Sequence, residues 1–435
     1  MLTEKDRNRV TKAVDDVKDE MVSFLQDLIR IDTTVPPGRN YPQGADFIAG
    51  KLKKFGYDVQ KIVVPEDYVK KCLLAVRGQD EGAAPLPRVN VFARMEGRNP
   101  HPNKHFTGHF DVVPPGEGWT VDPFGGEIRN GKIYGRGSTD QKSGIAASIF
   151  AVEALKRGGI KILGTVEQSA TIDEETGGFA GLGYLVEEKY IHQGKQDYVL
   201  YTECLDQDGI CIGHRGAVFF DLRVRGKVGH GCMPQFAVNA IDKMTWVVQA
   251  IISELRPRIE SRVSSTPIRP EGSKASNILP IWIDGFAKER PAATVPPLCI
   301  SYWNRWFNPE EKIIEVRAEI RNFLDELKKR DPQLDIEYLE HYFVEPVLVP
   351  TDNEFVKAYQ SGVKSVVGHD SHFKLSPGFD DQRFVVLNGH IDKCIIYGPG
   401  VLNMAHLPDE YVPISDLINS AKVMALATAE LLGVG

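Results

Sequence analysis

An imidazole and a carboxylate stand two positions apart at His109 and Asp111. Side chains two residues apart leave the same face of an extended segment, so this pair can address one centre. Histidine nitrogen and carboxylate oxygen are the ligands of zinc-type hydrolytic sites, which leave one position open for water. A lone histidine on a strand is more often a packed, hydrogen-bonded residue, so a metal site requires further ligands elsewhere in the chain.

Further acids follow in order along the chain, each where an apolar run ends in turn residues. They are Asp140, the pair Glu174 and Glu175, and Glu203 at the end of the predicted strand 198–202. This is the position at which an α/β sheet presents functional groups. Each alone has a plainer explanation, Asp140 as the N-cap of a helix and the two glutamates as a solvated acidic turn. The ordered set predicts a metal site along one rim of a sheet.

The acids suit different roles. Two metals about 3.5 to 4 Å apart need a bridging group, and Asp140, near glycines that let the backbone approach, is the candidate. Consecutive side chains diverge, so Glu174 and Glu175 cannot easily share one role. We therefore predict that Glu175 is a ligand and that Glu174 is the general base that faces the attacking water.

The remaining candidates are one carboxylate and three histidines. Asp111 is the candidate to hold His109 in the right tautomer. His406, in the stretch Ala-His-Leu-Pro-Asp-Glu, is the candidate to complete the second metal site. His369 and His372 form an HxxH pair in a predicted loop without accompanying acids, and we interpret them as unrelated to the site.

Size and composition limit the class of protein. A chain of 435 residues exceeds what one hydrophobic core usually serves, so two domains are expected. A net charge of −7 and a pI near 5.9 argue against a nucleic-acid surface, which would need clustered basic residues. The N-terminus lacks the apolar stretch of a signal peptide and no apolar run approaches the ~18 residues of a membrane span, so we expect a cytoplasmic protein without a membrane partner. Six scattered cysteines without a CxxC pair favour reduced, mostly buried thiols.

The order of predicted elements indicates an insertion. Strands and helices alternate over residues 1–213 and again over 344–435, which is typical of an α/β domain. Residues 214–343 instead predict a strand, helix, strand, helix, strand module, interpreted as a separate inserted domain. Hydrophobic periodicity further predicts a single amphipathic helix over 8–30 and a helix over 239–255 that a proline ends.

Five features of the sequence together resemble one known family. They are Gly-His-Phe-Asp-Val-Val-Pro at 108–114, Gly-Arg-Gly-Ser-Thr-Asp at 135–140, Asp-Glu-Glu-Thr-Gly-Gly at 173–178, the acid Glu203, and Ala-His-x-x-Asp-Glu at 405–410. The family is that of the co-catalytic zinc enzymes acetylornithine deacetylase, succinyl-diaminopimelate desuccinylase, aminoacylase and carboxypeptidase G. The likeness extends over about residues 15–430.

The resemblance implies how the ligands divide between two divalent metals, a division that the residues alone leave open. By similarity, His109, Asp140 and Glu203 bind one metal, and Asp140, Glu175 and His406 bind the other. We expect two zinc ions per subunit, although cobalt and manganese tolerate the same ligands.

The family also implies a fold and an assembly. The expected fold is α/β, with a mixed-sheet, zinc-peptidase-like catalytic domain and an inserted α+β lid and dimerisation domain of four strands and two helices. In that lid His230 resembles the histidine that reaches the site of the partner subunit and polarises the substrate carbonyl. Asn277 and Arg305 resemble substrate-binding residues of the lid. A homodimer through residues 214–343, or a higher homo-oligomer, is therefore expected.

Departures from the family pattern bear on the substrate. Around the loop Asp and Arg, the usual hydroxyl and small residues are replaced by Phe379, Asp380 and Gln382, while Arg383 could still hold a substrate carboxylate through a bidentate pair. Phe379 adds an apolar or stacking surface. The inserted domain also carries an aromatic cluster, consisting of Trp282, Phe286, Tyr302, Trp303, Trp306 and Phe307.

These observations predict a metal-dependent hydrolase that cleaves the amide C–N bond of an N-acyl amino acid or a related small carboxylate. The aromatic cluster and the altered loop keep open a second enzyme class, which hydrolyses an aromatic amine or another non-peptide C–N bond on the same scaffold. A non-catalytic binding relative is the third alternative. It is disfavoured because all five candidate ligands and the candidate base are present.

Overall fold

A computed structural model describes residues 2–75, 86–204, 206–286 and 293–435. The chain divides into two compact units. Unit 1 consists of Met1–Gly213, Leu348–Ser376 and Asp380–Gly435. Unit 2 consists of His214–Val347 and Pro377–Phe379. That residues 214–343 form an independent domain with a lid function stays a prediction.

The elements of the described ranges are numbered in chain order. The helices are α1 (Glu4–Asp15), α2 (Lys18–Ile29), α3 (Tyr41–Lys54), α4 (Glu66–Ala75), α5 (Lys142–Arg157), α6 (Tyr184–Glu187), α7 (Ala240–Ala250), α8 (Arg256–Glu260), α9 (Ile313–Arg330), α10 (Glu354–Val367) and α11 (Ile414–Leu432). The strands are β1 (Asp58–Val63), β2 (Val89–Met95), β3 (Asn103–His109), β4 (Glu127–Arg129), β5 (Lys132–Tyr134), β6 (Thr165–Thr171), β7 (Tyr198–Tyr201), β8 (Gly209–His214), β9 (Gly216–Arg225), β10 (Asn277–Phe286), β11 (Leu298–Phe307), β12 (Asp335–Val344), β13 (Val347–Leu348), β14 (His372–Ser376), β15 (Cys394–Ile396) and β16 (Tyr411–Pro413).

The main sheet of unit 1 is mixed, which confirms the predicted α/β class. Its strand order is β1-β2-β6-β3-β7-β15-β8-β13, with β14 paired to β8. The central strands β6, β3, β7 and β15 run parallel, while β1 pairs antiparallel to β2, β2 to β6, and β8 to β15. Because the parallel strands end at the same edge of the sheet, the residues that follow them are brought together there.

The residues that follow these parallel strands include the predicted site residues. His109 is the last residue of β3, Asp173 to Glu175 follow β6, and Glu203 follows β7. The loop that carries His406 comes after β15. The topology of the sheet therefore explains why side chains about three hundred positions apart in sequence share one rim.

Two helix predictions differ from the structure. The predicted helix over 8–30 is two helices, α1 and α2, because the chain leaves helical geometry at Val17, with φ −110° and ψ 1°. The apolar spacing continues across the break because Val14, Val17 and Met21 are all buried. The helix predicted to end before Pro257 continues through a π-helical turn into α8, so Pro257 lies within the helical segment rather than beyond its end.

Unit 2 contains a four-stranded antiparallel sheet in the order β10-β11-β9-β12. Helices α7 and α9 pack on one face and share its apolar core with residues such as Phe220 and Trp303. Strand β11 alternates strictly, burying Cys299, Ser301, Trp303, Arg305 and Phe307. The side chain of Phe286, named in the predicted aromatic cluster, lies outside the described residues. None of the helices in the described ranges combines the length and apolar character that a bilayer crossing requires.

Candidate metal centre

His109 is fully buried at the end of β3, with its two ring nitrogens directed to different partners. Nδ1 lies 3.0 Å from the main-chain carbonyl oxygen of Asp111 and 3.3 Å from its Oδ1. The shorter contact goes to the main chain, so Asp111 orients the ring with its carbonyl oxygen first and its carboxylate second. Nε2 lies 3.2 Å from Asp140 Oδ1 and 3.5 Å from Glu203 Oε2. Donation from Nδ1–H to Asp111 leaves Nε2 free to act as a ligand.

The candidate ligand atoms form two groups that share Asp140. In the first group are His109, Asp140 and Glu203, and in the second Asp140, Glu175 and His406, with ligand atoms within 4.8 Å of one another in each. Each histidine approaches a different oxygen of Asp140, because His109 Nε2 faces Oδ1 and His406 Nε2 lies 3.3 Å from Oδ2. His406 Nε2 also lies 3.1 Å from Glu175. In the described part of the chain, no other set of three such residues is grouped in this way.

The paired glutamates point to different targets. Glu175 faces His406, and its main-chain N–H donates to Asp111 Oδ2 at 3.2 Å. Glu174 belongs to neither group, but its Oε2 lies 3.9 Å from His109 Nε2. The divergence expected of consecutive side chains is therefore observed, and it leaves one carboxylate beside the groups and uncommitted to either.

The electrostatics of the site suit a bound cation. Burial, with the nearby charge of Asp140, raises the pKa of Glu175 to about 7. Burial also raises the pKa of Glu174 and of Glu203. Hydrogen bonds to Asp140 and then to Glu175 raise the pKa of His406 to about 11. Several buried carboxylates next to imidazole nitrogens form a donor set whose negative charge a divalent ion would stabilise, so the residues present fit a metal centre.

Four other predicted residues are not members of these two groups. His230 is exposed on unit 2, where its Nδ1 accepts a hydrogen bond from Cys232 N at 3.2 Å. Asn277 is partly buried at the start of β10. Arg305 is fully buried inside unit 2, and its Nη2 contacts Glu311 at 2.5 Å.

Arg383 is also buried, and its Nη2 donates to the carbonyl oxygen of Gly177 at 2.5 Å. It therefore supports the turn that follows the paired glutamates. His369 and His372 each lie 3.9 Å from Asp208 and belong to neither ligand group.

A buried ion pair between Arg136 and Glu410, which the sequence did not predict, joins the loops of the two groups. Arg136 Nη1 donates to Glu410 Oε2 at 2.5 Å, and both side chains are buried. Glu410 Oε1 accepts from the main-chain N–H groups of Thr139 and Asp140, while Arg136 Nη2 donates to the carbonyl oxygen of His406 at 3.1 Å. Arg136 is the arginine of the Gly-Arg-Gly-Ser-Thr-Asp motif, and Glu410 is the glutamate of the Ala-His-x-x-Asp-Glu motif. Their place inside these two motifs was the sequence feature that could have indicated the ion pair.

Comparison with known proteins settles the family. The family model described as peptidase family M20/M25/M40 matches residues 105–430, three quarters of the chain. The protein belongs to this family. The relationship suggested by the five sequence features is thereby confirmed.

Relatives of this M20 protein match over nearly its whole length. Succinyl-diaminopimelate desuccinylase of Ehrlichia ruminantium (strain Gardel) is 26% identical over 411 residues, which cover 92% of this chain and 95% of the desuccinylase. N-formyl-4-amino-5-aminomethyl-2-methylpyrimidine deformylase of Bacillus subtilis (strain 168) is 27% identical, with 95% of each chain covered. The crystal structure of human carnosine dipeptidase 1 shares the fold, with a TM-score of 0.75, 19% identity and 98% of each chain covered.

Membership of the M20 family gives the general activity. The protein is a metal-dependent hydrolase that acts on amide C–N bonds of N-acyl compounds.

Proposed function

We propose that the protein hydrolyses the amide of an N-acyl amino acid or a related small carboxylate with two divalent ions and Glu174 as general base. The observation that carries this proposal is the pair of ligand groups that share Asp140, with one uncommitted carboxylate beside them. His109, Asp140 and Glu203 would hold one ion, and Asp140, Glu175 and His406 the other. Zinc is the first candidate for these nitrogen and oxygen ligands, and cobalt and manganese are also tolerated.

The ions, when bound, supply Lewis-acid polarisation of the substrate carbonyl and activation of water. The protein supplies the proton transfers. The Glu174 carboxylate accepts a proton from the water whose oxygen forms a bond to the carbonyl carbon. It then delivers that proton to the amide nitrogen as the C–N bond breaks, which releases a carboxylic acid, still carrying the second proton of the water, and an amine. Asp111 contributes by fixing the orientation of His109.

The remaining candidates are His230, Asn277 and Arg305 of unit 2 and Arg383 of unit 1. His230 is exposed and free of a side-chain ion pair among the described residues, as a histidine that acts on the carbonyl of a partner's substrate would need. A substrate-binding role of Asn277, Arg305 and Arg383 is carried over from the resemblance alone. The guanidinium groups of both arginines are engaged within their own units, which does not favour such a role.

Two relatives indicate the substrate class. The desuccinylase acts on an N-succinyl amino acid by its name, and its match spans nearly the whole of both chains. The deformylase acts on an N-formyl aminopyrimidine by its name, which favours a flat aromatic amine as the second candidate. In unit 2, Trp306 and Phe379 stack with centroids 5.8 Å apart, and Phe219 packs edge-on against both, which provides an aromatic surface of the kind that the second candidate requires.

We also propose a homodimer formed through unit 2. Strand β10 is an edge strand of its sheet and exposes Ile281, Trp282 and Ile283 at 48%, 40% and 50%. An apolar edge strand is a pairing surface unless something covers it. A second copy related by a two-fold axis would cover it, and sedimentation of wild type against an Ile281→Lys, Ile283→Lys variant tests this.

The proposed activity is tested with protein stripped of metal and reloaded separately with zinc, cobalt or manganese. Candidate substrates are N-succinyl and N-acetyl amino acids, a dipeptide and an N-formyl aminopyrimidine. The amounts of amine and of carboxylate released are measured, and a one-to-one ratio is expected. Glu174→Gln is expected to lower kcat by about 10²- to 10⁴-fold while metal still binds. Glu188→Gln, the same change at an exposed glutamate, is the matched control and keeps wild-type activity.

Loss of all activity on chelation, with recovery on reloading, is expected. A Glu174→Gln variant as active as wild type would contradict the proposed role of this residue. A reloaded wild type that binds these compounds but cleaves none would favour the non-catalytic alternative. Preference for the aminopyrimidine over the amino-acid amides would select the second candidate.

A further inference from the structure

Asp173, the residue before the paired glutamates, has a left-handed backbone conformation, with φ 59° and ψ 21°. Such a conformation is uncommon outside glycine and persists where the surroundings over-determine it. The carbonyl oxygen of Asp173 accepts hydrogen bonds from Thr176 N at 3.2 Å and Gly178 N at 2.6 Å. Asp173 therefore begins the turn from which Glu174 and Glu175 diverge, and its carbonyl oxygen accepts the hydrogen bonds that close this turn.

The side chain of Asp173 is held by two residues that come from other elements. Oδ1 accepts a hydrogen bond from the Tyr41 hydroxyl at 2.8 Å, and Oδ2 accepts one from Arg88 Nε at 2.8 Å. Tyr41 begins α3, and Arg88 directly precedes β2. All three residues are buried, so both carboxylate oxygens are bound away from water by fixed donors. We name Tyr41, Arg88 and Asp173 the Asp173 clamp.

The outer side of the Asp173 clamp is also fixed. Arg88 Nη1 donates to the carbonyl oxygens of Pro37 at 2.8 Å and Leu86 at 3.0 Å, and its guanidinium lies 5.4 Å from the centre of the Tyr41 ring. Gly38, with φ +94°, packs closely against both side chains. A Cβ added at this position would lie 2.8 Å from Arg88 Nη1 and 2.9 Å from Tyr41 Cε2. The clamp therefore has little freedom to adopt another geometry.

We propose that Tyr41 and Arg88 are positioning residues that act through Asp173 to keep Glu174 and Glu175 in their separate directions. The inference rests on the proposed function, because it concerns the residues proposed as base and as ligand. Neither Tyr41 nor Arg88 belongs to the ligand groups. Loss of either is expected to let the turn relax and to misplace both glutamates.

A merely structural role for Arg88 is the alternative, and the same pair of strands contains a matched control. Arg94 on β2 pairs with buried Glu167 on β6 at 2.5 Å. Asp173 follows the other end of β6, so the Arg94–Glu167 pair joins the same strands away from the paired glutamates. Its removal is expected to cost stability without disturbing the metal centre.

The experiment compares Tyr41→Phe, Arg88→Met, Arg88→Lys and Arg94→Met with wild type. Metal binding to stripped protein is measured by titration calorimetry, together with kcat, KM and the thermal midpoint. Tyr41→Phe and Arg88→Met are each expected to weaken one of the two metal-binding events by about 10- to 100-fold and to lower kcat by a similar factor with KM little changed. Arg88→Lys restores part of both, because it returns the charge. Arg94→Met lowers the thermal midpoint alone.

The outcome of Tyr41→Phe decides the inference even where Arg88→Met does not fold. A Tyr41→Phe protein with wild-type affinity for both metals and wild-type kcat would overturn it. An Arg94→Met protein that loses metal affinity and kcat as Arg88→Met does would also overturn it, because the effect would then come from general destabilisation. If wild type hydrolyses none of the candidate substrates, the proposed function fails, whereas the metal titrations still decide the role of the clamp.

Discussion

The two candidate ligand groups share Asp140, but the fold holds them differently. The first group stands on the sheet itself, with His109 fully buried at the end of β3 and Glu203 fixed by a 2.8 Å hydrogen bond from Gln141 Nε2. The second group stands on loops. The side chain of His406 is 51% exposed, and its backbone has a left-handed φ of 65°.

The two groups depend on different parts of the chain. Parallel strands deliver the first group, because their ends coincide at one edge of the sheet. The second group depends on buried polar contacts that hold loops in uncommon conformations, namely the Arg136–Glu410 ion pair and the Asp173 clamp. We therefore expect the first group to bind its ion more tightly than the second.

We expect the greatest loss of metal binding and activity from replacing Asp140, because both groups contain this residue. Asp140→Asn replaces the carboxylate that, within the described ranges, directs one oxygen to each of the two histidines. Both binding events in a metal titration should weaken, and kcat/KM should fall on the order of 10³-fold or more, since several kcal/mol of charge stabilisation are lost. Retention of one tight binding event in this variant would show that Asp140 does not bridge the groups.

Replacing one histidine at a time should affect the two binding events separately, because His109 belongs to the first group and His406 to the second. His406→Asn is expected to abolish the weaker binding event and to leave the tighter one within about threefold of wild type, whereas His109→Asn removes the tighter event. Because His109 is fully buried and His406 half exposed, His109→Asn should lower the thermal midpoint of the metal-free protein more than His406→Asn does. Equal losses of metal in the two variants would contradict the proposed asymmetry.

The sequence could predict the parts of the site that strands position. Each candidate ligand of the first group stands at a strand end or just before a helix, and such places are recognisable from apolar runs that end in turn residues. The order of elements was predictable for the same reason, whereas the mixed sheet was expected from the resemblance to the family. The half-exposed position of His406 was not predictable, because it depends on long-range contacts of Arg136 and Glu410 rather than on local periodicity.

Arg305 shows a signal that was present but unused. It lies on β11 between Trp303 and Phe307, and a period of two places all three on the same face of the strand. That face is the core of unit 2, where Glu311 and Glu319 receive the guanidinium. The break between α1 and α2 carried no comparable signal, because the apolar residues on both sides face one core.

A smaller effect tests the contact that joins the two loops. Glu410→Gln keeps the size of the side chain but removes the charge opposite buried Arg136. Breaking a buried pair on one side costs about 3 to 5 kcal/mol of unfolding free energy. The second group should lose about tenfold in metal affinity, and the first group less, because only the second has a ligand whose carbonyl oxygen Arg136 binds. Glu337→Gln, which removes an exposed partner of Arg225, is the control and should change neither quantity.

The smallest effect concerns the metal-free protein and the pH. Burial raises the pKa of Glu175 from 4.5 to about 7, so between these values the folded protein holds a proton that the unfolded chain has released. The contribution of this residue to stability is full below pH about 4.5 and is lost as the pH rises through about 7, so the thermal midpoint should fall over that range. His406 acts in a separate window, because its folded-state pKa is about 11 and its contribution is lost only above the ordinary value of 6.5.

Comparison of wild type with Glu175→Gln isolates the contribution of the second group. The variant should show a flatter fall of the thermal midpoint between pH about 4.5 and 6.5, where His406 is protonated in both states. Addition of zinc should flatten the wild-type curve toward neutral pH, because a bound cation favours the ionised carboxylate. Identical pH slopes for wild type and variant without metal would place the proton elsewhere among the buried acids.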